Sequence, residues 1–444
     1  MRTNSPDSEQ SAHLTRRATI AATFGTVVEW YDFFLYGTAS ALIFPSLFFP
    51  SASSLNGSLL SFATFATGFV ARPLGGAIFG HVGDRIGRKN ALVITLLAMG
   101  LATLAVGLLP TYGQIGALAP ILLVVLRIVQ GIGTGGEWGG AALLTKENGS
   151  SRPGFWGGFL SSAVFAGLIL ASVVYVVIGA LVNNDQLLSW AWRIPFLLSV
   201  ILVGVGLWVR KGLPETREFA RIKQAGDQER APLVKAFKQP RNMLAIFLMR
   251  VGQNATFNIV SVFILTYATT QLGLGKSQIL WATVIGAAVA CVLCPVYGHL
   301  GDRFGFGRVM IVALLFQAVF AFPFFLLVDS KGVAPVIIAV TVGIAGAGAA
   351  TDAIQAGYFA GLFSTRSRYS AISVGREGGT VVGGGLAPLI ATALLGWLHG
   401  SPWAIAGWMA LTSLIGIVGV LLVRSHHEAE DVVTESGRTG SALI

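Results

Sequence analysis

Apolar residues run along this chain in twelve long blocks that are separated by shorter polar segments. An α-helix needs about 20 apolar residues to cross the hydrocarbon core of a bilayer, and each block is near or above that length. The blocks are continuous rather than alternating, which favours helices over the strands of a membrane barrel. The predicted spans are 18–44, 58–81, 90–110, 115–144, 155–182, 190–210, 242–270, 278–300, 308–328, 333–363, 370–398 and 402–424.

The amino-acid composition narrows the class of protein further. Hydrophobic residues make up 54% of the 444 residues and charged residues only 11%, against about 25% in an ordinary soluble domain. A chain with a mean hydropathy of +0.72 cannot give a water-soluble globule its polar coat, which excludes soluble enzymes and nucleic-acid-binding proteins. We therefore expect an all-α membrane protein with no nucleic-acid partner, although the formal net charge is +10.

Lysine and arginine are concentrated on one side of the predicted topology. The connections on the other side contain only Lys276 and Lys331, with Arg193 near the end of a span. Because basic loops stay on the cytoplasmic side, we expect a multi-pass protein of the cytoplasmic membrane with both termini cytoplasmic. The basic residues of the predicted cytoplasmic connections are Arg85, Arg88, Lys89, Lys146, Arg152, Arg303, Arg308, Arg366 and Arg368, with more between Lys211 and Arg241.

A short sequence occurs twice and divides the chain into two halves. Gly80-His-Val-Gly-Asp-Arg-Ile-Gly87 is repeated 218 residues later as Gly298-His-Leu-Gly-Asp-Arg-Phe-Gly305, each time after the second of six spans. Two such halves are typical of secondary transporters, which bind substrate between the halves near the middle of the membrane. The predicted organisation is a six-helix half over 1–210, a charged cytoplasmic linker over 211–241, a second six-helix half over 242–424 and a cytoplasmic tail over 425–444.

Several motifs resemble those of a known transporter family. Gly80-x-x-Gly83-Asp84-Arg85-x-Gly87-Arg88-Lys89 is similar to the signature loop of the major facilitator superfamily. Within that superfamily the chain resembles the metabolite:proton symporter family, and most of all its shikimate-permease-type members. The other motifs that carry this likeness are Glu29-Trp-Tyr-Asp-Phe33, Arg127-x-x-Gln-Gly131, Gly135-Gly-Glu-Trp-Gly-Gly140, Trp192-Arg-Ile-Pro-Phe196, Arg368-Tyr-Ser370 and Gly383-Gly-Gly-Leu-Ala-Pro388.

The resemblance implies the major facilitator fold and a symporter rather than an enzyme. It implies proton-coupled uptake of a small organic acid, such as shikimate or a related carboxylate, with the proton as coupling ion and no other cofactor. The family also contains proline and betaine carriers, so an osmolyte symporter is the alternative, and Trp30, Tyr31 and Phe33 could bind a quaternary amine. The chain departs from what is usual in relatives at Gln253, Phe306, Gly307, Gly361, Arg376 and Glu377.

Ionisable residues inside a span are unfavourable to insert, by about 2.5–3.5 kcal/mol each, and are therefore candidates for function. In span four, the planar guanidinium of Arg127 can hold a carboxylate through two hydrogen bonds; a static pair with Glu137 is the structural alternative. Arg250 could instead lie near the cytoplasmic end of its span. The candidate substrate-binding residues are Arg127, Gln130, Tyr36, Trp138, Arg250, Asn254 and Arg376.

Carboxylates within the spans are candidates for carrying the proton. Glu29 and Asp32 lie about one turn apart on span one, where their mutual repulsion favours proton binding by one of them. Asp32 is the first choice, and the alternative is that both only stabilise helix contacts. Arg376 and Glu377 are adjacent on a helix, so their side chains diverge by about 100° and need not pair. The candidate proton-coupling residues are Asp32, Glu29, Glu137, Glu377 and Asp352.

The repeated loops are candidates for a gate. By likeness to the superfamily, Asp84 should face the start of span eleven near Ser370, where a carboxylate can accept N–H groups from the end of the helix. The second copy should matter less, because Phe306 and Gly307 replace its usual basic partners. The candidate gating residues are Gly83, Asp84, Arg85, Arg88, Asp302 and Arg303.

No metal site is expected. Cys291-x-x-Cys294 has the spacing of half a metal site, but it lies within a span, and we interpret both cysteines as small buried hydrophobes. The expected partners are a small organic anion, protons and membrane lipid, and we expect a monomer.

Overall fold

The computed structural model describes residues 6–86, 88–135, 152–211, 240–363 and 368–423, and this part of the chain is almost entirely helical, without a strand. Its long helices follow one another in the predicted order. They are α1 (Pro6–Leu42), α2 (Ser54–Ile86), α3 (Arg88–Leu108), α4 (Leu118–Thr134), α5 (Pro153–Leu181), α6 (Ile194–Lys211), α7 (Pro240–Thr270), α8 (Lys276–Phe304), α9 (Phe306–Asp329), α10 (Val333–Gly361), α11 (Arg368–Thr380 continued by Ala387–Trp397) and α12 (Trp403–Leu422).

The apolar helices have the lengths that a membrane requires. Among the described residues, nine helical stretches are long and apolar enough to cross a bilayer, and two shorter apolar ones, Val93–Leu108 and Leu118–Thr134, lie in α3 and α4. The remaining long helix, α1, carries Glu29 and Asp32 in its apolar part. Short helices fill some connections: Phe44–Phe48, Tyr112–Ile115 and Asn184–Ser189, the last followed by a 3₁₀ turn, Ala191–Arg193.

The helices pack as two groups that meet along a central interface. In the N-terminal half (α1–α6), α1 packs on α5 and α6, and α4 packs on α2 and α3. In the C-terminal half (α7–α12), α7 packs on α11 and α12, and α8 packs on α10. The halves meet where α5 packs on α8 and α2 packs on α11. The predicted linker falls mostly outside the described residues, so its boundaries stay a prediction.

Glycines allow the two halves to approach closely. A Cβ atom on Gly154 of α5 would collide with the carbonyl oxygen of Gly298 of α8, and one on Gly158 would collide with the carbonyl oxygen of Cys294. On the other pair of helices, a Cβ on Gly385 of α11 would lie 2.7 Å from the Cβ of Phe69 of α2. Small residues at helix crossings let backbones come into contact, which explains the glycine-rich runs of the sequence.

Three helices of the C-terminal half change their winding near the middle. α7 contains a π-helical segment at Ile259–Phe263, α10 at Val342–Gly348 and α11 at Val381–Gly385. Such widened turns interrupt the regular α-helical ladder and are frequent at functional sites. They place the irregular backbone of α7, α10 and α11 within the core of the bundle.

The bundle is apolar outside and polar in parts of its interior. Large apolar side chains such as Val292 and Val319 are 72% and 70% exposed on the outer surface, where lipid can cover them. Charged side chains of α1, α2, α4, α7 and α11 are instead buried. A polar group in hydrocarbon needs a partner within the protein, so these buried charges indicate where the functional site lies.

Candidate functional site

Ionisable side chains from six helices meet in the interior of the described bundle. They comprise four arginines and four carboxylates, which are divided between the two halves. The N-terminal half contributes Glu29, Asp32, Arg72 and Arg127, and the C-terminal half contributes Arg250, Asp352, Arg376 and Glu377.

Arg127 of α4 is held by aromatic rings and neutral groups. Its guanidinium carbon lies 4.3 Å from the centre of the Tyr36 ring and 5.2 Å from that of Phe65. One guanidinium nitrogen donates a hydrogen bond of 2.6 Å to Oε1 of Gln130, and Nε donates to the carbonyl oxygen of Phe65 at 3.4 Å. Among the described residues no carboxylate lies within 4.0 Å of Arg127. The guanidinium is therefore positioned without a direct countercharge in this part of the structure.

A chain of hydrogen bonds joins Arg127 to Asp32 of α1. Gln130 accepts from Arg127 and donates through Nε2 to the hydroxyl of Thr103 at 2.8 Å. The Thr103 hydroxyl lies 2.9 Å from Oδ2 of Asp32 and 3.0 Å from the carbonyl oxygen of Met99. The second carboxylate oxygen of Asp32, Oδ1, is buried and has no hydrogen-bond partner among the described residues. Oδ2 of Asp32 thus belongs to this series of hydrogen bonds, and Oδ1 can accept a further hydrogen bond.

A second set of charges connects the two halves. Arg72 of α2 forms ion pairs with Glu29 of its own half and, at 3.3 Å, with Glu377 of α11. Arg376 donates a hydrogen bond of 2.6 Å to the other carboxylate oxygen of Glu377. The adjacent residues Arg376 and Glu377 therefore do pair, although their positions on the helix did not require it.

In the C-terminal half, Arg250 of α7 is the centre of a polar cluster. It forms an ion pair of 3.2 Å with Asp352 of α10 and donates hydrogen bonds to Gln355 and Gln253 at 3.0 and 2.7 Å. Its Nε donates to the hydroxyl of Thr380 of α11 at 2.9 Å. Only 1% of Arg250 is exposed, so the alternative that it extends to the end of its span is wrong.

Asn254 of α7 belongs to the interface between α7 and α11. Its amide nitrogen is buried and has no hydrogen-bond partner among the described residues, and a Cβ on Gly384 would lie 2.6 Å from it. Asn258, one turn further, donates to the Asn254 carbonyl oxygen at 3.0 Å. The same glycine also contacts Phe69 of α2, so Asn254 lies close to the interface between the halves.

A small cavity lies beside Arg127 in the N-terminal half. Two carboxylates, two arginines, a carboxamide and aromatic rings line this cavity. Its lining residues are Glu29, Trp30, Asp32, Phe33, Gly68, Phe69, Arg72, Arg127, Gln130, Gly131 and Thr134.

Several predicted residues cannot be placed. Glu137 and Trp138 lie outside the described residues, as do the side-chain surroundings of Gly83, Asp84, Arg85, Arg88 and Ser370. A contact of the kind expected for Asp84 is present at its repeat mate: Asp302 accepts from the backbone N–H groups of Gly154 and Phe155, at 2.7 and 2.9 Å, at the start of α5. The replacement of basic residues by Phe306 and Gly307 thus does not leave Asp302 without partners. Arg303 lies over the ring of Phe304.

Three residues of the site are not among those predicted from the sequence. Arg72 was detectable, because it is an arginine in the interior of the predicted span 58–81. Thr103 and Thr380 carry no such signal, since threonines are common in membrane helices and usually bond to their own backbone. Only the neighbouring helices make these two hydroxyls part of the charged clusters.

The cysteines and the described carboxylates do not form a metal site. Cys291 and Cys294 are free thiols, and Cys291 donates to the carbonyl oxygen of Ser162 at 3.3 Å. Within the described ranges no group of three or more His, Cys, Asp and Glu side chains could hold a metal ion.

Comparisons with known proteins identify the family and the fold of this chain. The family model described as Major Facilitator Superfamily matches residues 24–357 and 246–443. The chain is 39% identical over 421 residues to the Shikimate transporter of Escherichia coli (strain K12), covering 93% of this chain and 95% of that one. It is 32% identical over 403 residues to the Proline/betaine transporter of Salmonella typhimurium, covering 86% and 78%. The crystal structure of a D-xylose-proton symporter superposes with a TM-score of 0.71 at 17% identity, covering 93% of this chain and 98% of that one.

Proposed function

Since this chain belongs to the major facilitator superfamily and is a multi-pass membrane transporter, we propose that it imports a small organic acid together with a proton. Shikimate and related carboxylates are the proposed substrates, and the two halves alternate the access of one central site. The protein would work in the cytoplasmic membrane with both termini inside. The basic residues of its loops support this orientation.

The observation that carries the proposal is the cavity shared by Arg127 and Asp32. Arg72, Arg250 and Arg376 each lie within 4.0 Å of a carboxylate, whereas Arg127 contacts rings and a carboxamide. A carboxylate ligand would supply the countercharge that Arg127 lacks in the described structure, through two hydrogen bonds to its planar fork. Arg127 is therefore the proposed anion site.

Asp32 is the proposed proton site, and Thr103 explains how both of its protonation states are tolerated. When Asp32 is ionised, the Thr103 hydroxyl donates to its Oδ2. When Asp32 is protonated, the carboxyl group can donate to the Thr103 oxygen, and the hydroxyl turns to the carbonyl oxygen of Met99. A buried carboxyl group with a partner in either state can take up and release a proton without leaving a donor unsatisfied.

The hydrogen-bond chain from Arg127 to Asp32 offers a route for coupling. A carboxylate bound to Arg127 adds negative charge near Asp32 and so favours the protonated form of Asp32. Gln130 and Thr103 link the two sites directly. Binding of the substrate would then raise the affinity for the proton, and binding of the proton would raise the affinity for the substrate, as symport requires.

The relatives support a carboxylate and leave a second candidate. One is named a shikimate transporter and another a proline/betaine transporter. Trp30 and Phe33 line the cavity, and aromatic rings attract quaternary amines, so an osmolyte is the second candidate substrate.

Uptake into proteoliposomes tests the proposal. Labelled shikimate, other mono-, di- and tricarboxylates, proline and betaine are presented with and without an inward proton gradient. We expect a carboxylate to accumulate only with the gradient. Accumulation of betaine but no acid would replace the leading proposal by the second, and uptake that ignores the gradient would contradict proton coupling.

A further inference from the structure

Arg72 and Glu377 join the two halves through a buried ion pair. Arg72 lies on α2 in the N-terminal half and Glu377 on α11 in the C-terminal half, and their side chains are only 7% and 8% exposed. The distance between Arg72 Nε and Glu377 Oε2 is 3.3 Å. Relative motion of the halves must therefore change this contact.

Each member of the pair also has a partner in its own half. Arg72 pairs with Glu29 of α1, and Glu377 pairs with Arg376, its neighbour on α11. Removing one partner of a buried ion pair is strongly destabilising, because it leaves an uncompensated charge in the protein interior. Here the separation of Arg72 from Glu377 leaves each charge beside its resident partner, so the contact between the halves can break without that penalty.

The position of the pair fits a contact that opens and closes. α2 and α11 run antiparallel. Leu55 contacts Gly396 near one end of this helix pair, and Phe69 contacts Gly385 near its middle. The ion pair lies just beyond the middle contact, in the direction of the repeated loops.

We propose that Arg72 and Glu377 form a latch that holds the halves together at the side of the repeated loops and releases once in each transport cycle. Glu29 and Arg376 are the resident partners that receive the two charges when the latch opens. Arg72 and Glu377 are thus positioning residues for the motion of the halves. The inference rests on alternating access and not on the identity of the substrate.

The native Cys294 provides a reporter for this motion. It is fully buried on α8, where Gly158 of α5 packs against its carbonyl oxygen. We therefore expect its thiol to become reachable when α5 and α8 separate. In a Cys291→Ala background, we measure the rate at which N-ethylmaleimide alkylates Cys294 in the reconstituted full-length protein by mass spectrometry. No substrate is present, so a wrong substrate assignment leaves this measurement unaffected.

A double-mutant cycle tests the pair. We expect Arg72→Gln and Glu377→Gln each to raise the alkylation rate about fivefold, and the double variant to give the same rate as either single one, because contacting residues are not independent. Tyr267→Phe is the control, since it removes a 2.6 Å hydrogen bond to Asp329 within one half and should leave the rate unchanged. Independent effects that multiply in the double variant would overturn the latch.

We expect Arg376→Gln to change the alkylation rate in the opposite direction. Without its resident partner, Glu377 depends on Arg72, so the latch should hold longer and alkylation should fall below the wild-type rate. General damage to the fold would raise the rate instead, and a raised rate would count against the proposal. Should Arg72→Gln fail to insert, Arg72→Lys and Glu377→Asp complete the same cycle with the charges retained but the distances changed.

Discussion

At the scale of single residues, two hydrogen-bonding side chains separate the proposed anion-binding group from the proposed proton-binding group. Arg127 and Asp32 do not touch, and Gln130 and Thr103 lie between them. Each of the four side chains therefore has a different role in the proposed cycle. Substitutions can test these roles one at a time.

Arg127 should be the residue on which substrate affinity depends most. We expect Arg127→Ala to abolish uptake and Arg127→Lys to weaken apparent affinity about 10- to 100-fold, because an ammonium group cannot reproduce the planar fork. Arg193→Lys is the matched control, since Arg193 donates to the carbonyl oxygen of Leu109 away from the cavity and should transport normally. Initial rates against substrate concentration, at equal amounts of protein in the membrane, give the result. Normal affinity in Arg127→Lys would place the anion site elsewhere, with Arg250 and Arg376 next.

Asp32→Asn should uncouple transport from the proton gradient. An amide cannot carry the proton, so the variant should still exchange labelled for unlabelled substrate but fail to accumulate it. Counterflow and gradient-driven uptake, measured in the same proteoliposomes, distinguish the two activities. Gradient-driven accumulation by Asp32→Asn would transfer the proton role to Glu29 or Glu137, and after them to Asp352 or Glu377.

Thr103 should matter through its hydroxyl and not through its shape. Thr103→Val keeps the volume but removes the partner of both forms of Asp32, so we expect roughly a 5- to 150-fold loss of gradient-driven accumulation, given about 1–3 kcal/mol for an unsatisfied buried group. Thr103→Ser keeps the hydroxyl and should retain most of the activity. Equal losses in the two variants would indicate a packing role instead.

At the scale of helices, the contact between α5 and α8 depends on the absence of side chains at the crossing. Gly158 faces the backbone of Cys294, whereas Gly179, on the same helix, has open space around its Cα. The two glycines therefore allow a comparison of packing at constant helix propensity.

Gly158→Ala should destabilise the protein and slow transport, whereas Gly179→Ala should do neither. Overpacking at a tight contact has an unfavourable effect of about 1–3 kcal/mol, and alanine in an open helical position is neutral or slightly favourable. Thermal unfolding in detergent, followed by tryptophan fluorescence, and initial uptake rates measure both effects. A stable, active Gly158→Ala would mean that α5 and α8 are further apart in the membrane.

The helices were predictable from the sequence to a greater extent than their contacts. The predicted span 155–182 corresponds to α5 at Pro153–Leu181, and the predicted span 278–300 corresponds to α8 at Lys276–Phe304. The agreement is close because the length of an apolar run alone identifies a span. Hydropathy carries no information about winding, so the π-helical segment Val342–Gly348 of α10 was not foreseen. The ion pair between Arg72 and Glu377 joins the two halves, and a single sequence does not specify such a contact.

At the scale of the whole molecule, the two halves carry charges of opposite sign at related positions. Asp32 of α1 and Arg250 of α7 are separated by the same 218 residues as the two loop motifs. In the N-terminal half the acid lies on the first helix and an arginine on the fourth, whereas in the C-terminal half Arg250 lies on the first helix and Asp352 on the fourth. The repeat is thus structural, and its chemistry differs between the halves.

The orientation of the whole bundle is open to a direct test. Reporter fusions at Asp227 and Glu435 should both report a cytoplasmic location, and a fusion at Lys331 should report the opposite side, because the Lys and Arg residues favour this topology. Enzymatic reporters that are active on one side only provide the measurement. An external signal from Asp227 or Glu435 would contradict the predicted topology.

The equal numbers of buried arginines and carboxylates in the described bundle have an electrical consequence. Counted over the described residues alone, four of each leave no excess of fixed charge when all eight are ionised. One elementary charge moved through 100 mV corresponds to about 2.3 kcal/mol. When one proton travels with one singly charged anion, the two ligands together add no net charge to the carrier. The membrane potential then does no work on the step that crosses the bilayer, and the difference in pH alone sets how far the substrate is concentrated.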